Sequence, residues 1–251
     1  MNLHKIINVS TLAGKIMLEN GAETYRVEET IVRICLSFGV SEAESFVTPT
    51  GMMVSLTHNS ETVTSVKRIK TRGVDLNKID LVNTLSRQLQ TTKMDIDELN
   101  DELLKISKGN KYTALTTLIA SCFAASGFTV MFNGNLKDFL CAFFIGGCVN
   151  IMTTFFQKLN INGFFINCLG GALCSLLAVI LMKLNLCANL DATIIGSIML
   201  LVPGMLITNA IRDTIAGDFL SGLTKASEAF LIAISIAVGT GSVLSLFINT
   251  L

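Results

Sequence analysis

Beyond an apolar run at Ile194–Leu201, the chain carries Pro203-Gly204, then Asn209, Arg212 and Asp213, then Gly217, Asp218 and Gly222. Proline lacks an N–H and clashes with the preceding turn, and glycine adds backbone freedom, so a helix breaks or kinks at 203–204. If helix resumes, Asn209, Arg212 and Asp213 share one face at i, i+3 and i+4. An amide, a guanidinium and a carboxylate beside a broken apolar helix suit the binding of a small polar solute. Arg212 offers a planar fork to a solute carboxylate, while Asp213 or Asp218 holds an amino group or carries a coupling proton. Pro203, Gly204, Gly217 and Gly222 are then the hinges of the site. The same spacing equally describes a helix leaving the membrane, with Arg212 and Asp213 as a solvated pair. Asn150 and Asn167 lie inside other apolar runs, where an amide needs a partner or water. Helix packing is the plainer account of both, ahead of a solute path.

A second set of reactive groups lies in the polar half: Glu23, Arg26, Glu28, Glu29, Thr48, Thr50 and His58. They would carry the chemistry of a membrane-tethered enzyme or the ligand contacts of a sensor. No nucleophile–base pair can be read from their spacing. Glu29 and Arg33 form an i, i+4 pair worth only ~0.2–0.5 kcal/mol on a solvated helix face. No Walker A glycine loop is present, which gives no support to ATP hydrolysis. Seven cysteines and two histidines form no CxxC or Cys/His cluster, so no zinc site, disulfide framework or cofactor is expected. The reading is of a transport protein and not an enzyme.

The elements that must position these groups divide the chain in two. Residues 1–110 hold 13 of the 19 Lys+Arg and 14 of the 19 Asp+Glu, so the second half is largely stripped of charge. With a formal net charge of zero and no basic run, nucleic acid is not an expected partner. Met1–Asn20 is punctuated by Lys5, Lys15 and Glu19 and is not a signal peptide. Apolar residues at helical spacing predict helices over 5–19 and 23–38, joined at NGAETYRVEET. Alternation and turn residues predict short strands at 43–48, 52–57 and 62–69. Two more helices follow at 75–90 and 92–108, which completes an α+β domain at 1–108.

Residues 109–251 read as a transmembrane domain, with spans near 112–132, 139–157, 163–182, 192–211 and 226–248. Each approaches the ~20 residues that cross a bilayer as helix. The fold class is thus a five-span α-helical membrane protein, one span broken at Pro-Gly, preceded by a small cytoplasmic α+β domain. Lys105, Lys108, Lys111, Lys158, Arg212 and Lys225 flank the spans on one side, and Lys137 and Lys183 on the other. The positive-inside rule then places the N-terminal domain in the cytoplasm and the C-terminus outside the cell membrane. Recurrent glycines, including the pairs Gly170…Cys174 and Gly171…Ser175, suit close helix packing in lipid.

Three motifs in order, GAETYRVEET, TRGVDLNKIDLV and VPGMLITNAIRDTIAGDFLSGLTKASEAFLIA, resemble the threonine/serine exporter-like family, and more closely its YjjP-type split members. Gly21, Ala22, Glu23, Arg26 and Glu28 fall in the N-terminal motif. Pro203, Gly204, Asn209, Asp213, Gly217, Asp218 and Gly222 match the C-terminal one. The resemblance implies export of small polar metabolites: threonine and serine in one branch, succinate in another. It also implies a separate YjjB-type small integral membrane subunit as partner. A homo-oligomer is left open.

Overall fold

The computed structural model describes residues 1–109 and 112–247. Lys111, counted above among the flanking charges, and Ile248, the end of the last expected span, lie outside them. The described chain is mostly helical, with one small sheet, and forms two compact units.

The first unit comprises Met1–Asn110 together with Gly204–Ser227, a segment the sequence places in the apolar half. It opens with α1 (Leu3–Glu19), capped by the Asn2 side chain, which accepts from Lys5 N–H at 3.1 Å. The helix stops at Asn20-Gly21, where Gly21 takes φ +91°, a conformation glycine adopts without a Cβ penalty. α2 (Thr24–Ser37) runs back against α1, burying Val27, Ile31, Ile34 and Cys35 on its inner stripe. Burial pushes the Cys35 thiol up to about 11, as expected of an inert core cysteine.

An antiparallel meander follows: β1 (Glu42–Thr48), β2 (Gly51–His58) and β3 (Glu61–Arg68), in order β1-β2-β3. The register pairs Val47 with Met52 and Leu56 with Val63. Period-2 alternation turns these side chains, with Val54, into one buried core with α1 and α2. α3 (Leu76–Gln88) and α4 (Ile96–Lys108) close that core with Val82, Leu85, Leu99 and Leu103. The last helix begins at Ile96, not 92, because Asp95 and Glu98 form a reciprocal capping box there. The same unit takes in Gly204–Ser227, which holds a thirteen-residue helix and the head of a longer one.

The second unit comprises Lys111–Pro203 and Glu228–Leu251. It contains α5 (Ala114–Met131), α6 (Leu136–Lys158), α7 (Gly163–Lys183) and α8 (Leu190–Ile198). Glycines allow near-contact of helix backbones: a Cβ on Gly239 would lie 1.9 Å from the Cys168 carbonyl oxygen, and one on Gly171 would lie 2.6 Å from that of Ile236. The second of these places one expected small-residue position in a helix seam. After the break at 199–203 come α9 (Gly204–Ala216) and α10 (Phe219–Phe247).

Among the described residues, four helices are long and apolar enough to cross a membrane: α5, α6, α7 and α10. The segment expected as a span at 192–211 is not one helix. It divides into the nine-residue α8 and the thirteen-residue α9 on either side of Pro203. Along α10, Phe230, Leu231, Ile234 and Val238 are exposed, an apolar surface suited to lipid and not to water.

Candidate functional site

Of the site described first, Gly204, Asn209, Arg212, Asp213, Gly217, Asp218 and Gly222 lie within the first unit, and Pro203 ends a segment of the second. The foundation of the site is the start of α2. Glu23 is the N-cap residue, yet its side chain makes no cap hydrogen bond. The capping carboxylate comes from Asp213 on α9 instead. Its Oδ1 accepts from the Thr24 N–H at 3.0 Å, and its Oδ2 accepts from the Thr24 hydroxyl at 3.0 Å. A helix N-terminus presents unsatisfied N–H groups and a partial positive charge, so a carboxylate is stabilised there.

Lys225, two turns into α10, donates to the same Asp213 Oδ2 at 2.6 Å. Its ammonium also lies 3.4 Å from Thr24 Oγ1 and 3.5 Å from the Ala22 carbonyl oxygen. The Asp213 side chain is 0% exposed and that of Lys225 6%. A pair this deeply buried holds its charges only because each is paired and hydrogen-bonded.

Glu23 and Arg212 form a second pair beside the first. The Arg212 side chain is half exposed, at 53%. Arg26 Nε stands 3.5 Å from the other Glu23 oxygen. Burial alone would raise the Glu23 pKa. The hydrogen bond from Arg212, its own backbone N–H and the charges of Arg26 and Arg212 outweigh that and hold it below the usual carboxylate range. Asn209, one turn before Asp213, is 3% exposed and donates through Nδ2 to the Gly21 carbonyl at 2.8 Å. Its Oδ1 is buried with no partner among the described residues.

Local chain geometry explains why Asp218 joins this group. Gly217 takes φ +95°, its N–H donates to Thr214 O at 3.2 Å, and the Asp218 N–H donates to Asp213 O at 2.8 Å. This is a Schellman ending of α9, which returns the residue after the glycine to the last turn of the helix. Asp218 Oδ2 is buried with no partner among the described residues. Burial and the Asp213 charge raise its pKa, against the opposing charge of Lys225. Glu28, one turn along α2 from Thr24, is raised too. Burial comes first, offset in part by the Val47 N–H donated to Oε1 at 2.7 Å, with Asp218 and Asp213 adding to the rise. Gly222 lets α10 approach α9: a Cβ there would lie 2.2 Å from Thr214 Oγ1 and 3.0 Å from Ala210 O.

The structure therefore brings Asn209, Arg212, Asp213 and Asp218 together with Gly21, Ala22, Glu23, Arg26 and Glu28. It does not leave Arg212 and Asp213 as a pair with each other; each has a partner on or beside α2 or α10. Pro203 ends the break before α9 and Gly204 begins the helix, with nothing within 4 Å of a Cβ placed there. Asn150 and Asn167 lie in the second unit. Asn150 Nδ2 donates to Ser121 Oγ at 2.9 Å, a bond between α6 and α5. Asn167 lines a small polar depression with Gln157, Asn160 and Gly163. Among the described residues no group of three or more His, Cys, Asp or Glu could hold a metal ion.

Two central residues were not read as site residues from the sequence. Lys225 was counted only as a flanking charge, and Thr24 only as part of a motif. A signal existed for Lys225: it is a lone cation at the head of a long apolar run, where an ionisable group is costly unless paired. Thr24 carried none, since its role depends on a residue 189 positions away.

Comparison with known proteins bears on the whole chain. A family model described as "Putative threonine/serine exporter" matches residues 8–247. The chain is 19% identical to a "Probable threonine/serine exporter" of Mycobacterium tuberculosis over 244 residues, which cover 95% of this chain and 46% of that one. It therefore spans about half the length of that relative. It is also similar to a "Probable succinate transporter subunit YjjP" of Klebsiella aerogenes, at 19% identity over 89% of this chain and 86% of the other. The protein of the same description from Escherichia coli is 20% identical over 93% of this chain and 91% of its own. No solved structure matches.

Proposed function

The chain belongs to the threonine/serine exporter family, and from that membership we propose that it is one subunit of a membrane exporter of small polar metabolites. The solute is threonine and serine, or a dicarboxylate such as succinate. The partner is a separate small integral membrane subunit of the YjjB type, in line with the relatives described as transporter subunits. The observation that carries this reading is the family match from residue 8 to 247, which takes in the polar half and every long apolar helix.

The site supports a mechanism of partner exchange. In the state described, Arg212 is held by Glu23, and Asp213 by Lys225 and Thr24. A buried charge can leave one partner only if another replaces it. During transport the solute's carboxylate replaces Glu23 at Arg212, and its amino or hydroxyl group meets Asn209 Oδ1 or Asp218 Oδ2, two buried acceptors of this site with no donor among the described residues. Pro203, Gly204 and Gly217, at the two ends of α9, allow it to move, while Gly222, expected as a further hinge, packs α10 against it. Asn150 and Asn167 are further candidates along the path.

The membrane arrangement belongs to the same proposal: residues 1–108 form a cytoplasmic domain, five crossings follow, and the C-terminus is external. At 1.5 Å per residue, the nine residues of α8 reach only ~14 Å of a ~30 Å core, so the fourth crossing needs the break and part of α9. A C-terminal tag that impermeant reagents reach in intact cells supports five crossings; one reached only after lysis removes the fifth.

Efflux from preloaded cells carrying both subunits tests the function. Export of at least one of threonine, serine and succinate is expected above cells lacking this chain, and Asp213→Asn and Arg212→Ala are expected to reduce it at matched membrane abundance. No chain-dependent efflux of any of the three overturns the function. Undiminished export in both variants removes this site from it.

A further inference from the structure

The outer face of α2 forms the floor of a groove that shares only Glu28 with the site above. Tyr25, Glu28, Glu29, Val32 and Leu36 recur at helical spacing on that face, away from the buried stripe of Val27, Ile31 and Ile34. Ser45 of β1 and Leu89-Gln90 beyond α3 form its walls, and the groove encloses about 840 Å³. That is within the range of small-molecule sites, ~300–1,000 Å³, and its lining is largely polar, with Val32, Leu36 and Leu89 as its apolar patch.

The charges of the groove do not balance. Arg33 is already held, paired with Glu29 and donating to Ser86 Oγ at 3.2 Å. Among the described residues Glu28 has no such cation: the charges acting on it are the carboxylates Asp218 and Asp213, and both oppose its ionisation. One of its oxygens is fixed by the Val47 N–H, so the carboxylate is held in place while its second oxygen remains an acceptor. A half-buried, oriented carboxylate among like charges is stabilised most by a cation that donates hydrogen bonds.

We propose that this groove is a ligand site for the primary ammonium group of a small organic amine or amino acid, with Glu28 as its anchor and Val32, Leu36 and Leu89 against its carbon chain. The site lies in the N-terminal unit and meets the Arg212–Asp213 constellation only at Glu28. It stands whether or not the protein exports amino acids. The bound cation also stands next in line to Asp218 and Asp213, so occupancy is felt electrostatically by the transport site.

Isothermal titration of the full chain in detergent with ethanolamine, L-serine, L-threonine and succinate tests the proposal. Ethanolamine and the two amino acids are expected to bind in a way that depends on Glu28; any succinate binding, which belongs to the Arg212 site, is expected not to depend on it. Glu28→Gln keeps the acceptor for Val47 and removes the charge; it is expected to weaken amine binding at least tenfold, ~1.4 kcal/mol. Leu36 is half exposed, so Leu36→Arg is tolerated by the fold, places a competing cation in the groove and is expected to have the same effect. The absence of amine binding, succinate binding that Glu28→Gln weakens to the same degree, or undiminished amine binding in both variants would each overturn the assignment. Because binding and not efflux is read, its failure leaves the export proposal standing.

Discussion

Asp213 of α9 and Lys225 of α10 hold each other at 2.6 Å, both buried, while the same carboxylate caps α2 through Thr24. One side chain thus ties three helices of the first unit together. Neither half of the arrangement is sufficient alone: the helix N-terminus stabilises an anion, and Lys225 neutralises it.

Removing one member strands the other. Asp213→Ala leaves a buried ammonium and an uncapped α2, and Lys225→Ala leaves a buried carboxylate. Each is expected to cost ~3–5 kcal/mol, the range for breaking a buried pair. The double variant is expected to cost clearly less than the sum, because no charge is left without a partner. Denaturant titration of the detergent-solubilised protein gives the three values. Additive losses would mean the two side chains stabilise the fold independently.

Glycines in this segment divide into those that are packed and those that are not. Gly222→Ala drives a methyl into Thr214 and the Ala210 carbonyl, with backbone on one side that cannot yield, and is expected to cost ~1–3 kcal/mol. Gly217→Ala meets no neighbour but must hold φ +95°, at a cost of ~1–2 kcal/mol. Gly204→Ala meets neither obstacle and is expected to stay within about 0.5 kcal/mol of the parent. Thermal unfolding of the three variants side by side checks the order.

The carboxylates around the pair give opposite pH dependences. Asp218 and Glu28 have native pKa values raised above the unfolded ones, so the native state binds their protons more tightly. Stability therefore falls as pH rises from the ordinary carboxylate value through the native one, and stays reduced above it. Glu23 is lowered; its contribution is present above the ordinary value and is lost as pH falls through the native one. Asp218→Asn is accordingly expected to raise the unfolding midpoint at neutral pH, with the gain disappearing below about pH 4. Glu23→Gln is expected to flatten the acid limb. A gain for Asp218→Asn that is the same at both pH values would remove burial of its charge as the cause.

Much of this was legible in the sequence, and what was not follows from a single limit. Periodicity and turn residues located α1, α2 and all three strands to within a residue or two, because those signals are local. The break at Pro203 and the shared face of Asn209 and Asp213 were legible for the same reason. The partners of Arg212 and Asp213 were not. The spacing of α9 says which side chains share a face, and nothing in it says that Thr24, 189 residues away, will sit against that face. The division of 192–211 into two short helices was only half legible: the proline marks the break, but not that the second piece packs with the N-terminal unit.

The pair is also expected to be directional. If Asp213 and Lys225 attracted one another and did nothing else, the exchange Asp213→Lys with Lys225→Asp would restore stability lost in either single variant. The structure gives the two positions different surroundings. Position 213 faces the Thr24 N–H and hydroxyl at the start of α2, both donors. A lysine there offers only further donors and puts positive charge at the positive end of a helix. Position 225 reaches the Ala22 carbonyl as well, an acceptor that suits an ammonium and repels a carboxylate. The exchanged protein is therefore expected to remain at least ~2 kcal/mol less stable than the parent, from two lost charge-assisted hydrogen bonds. Circular dichroism or intrinsic-fluorescence unfolding of the exchanged variant measures this directly, and recovery to the parent midpoint would show that charge complementarity alone holds the three helices.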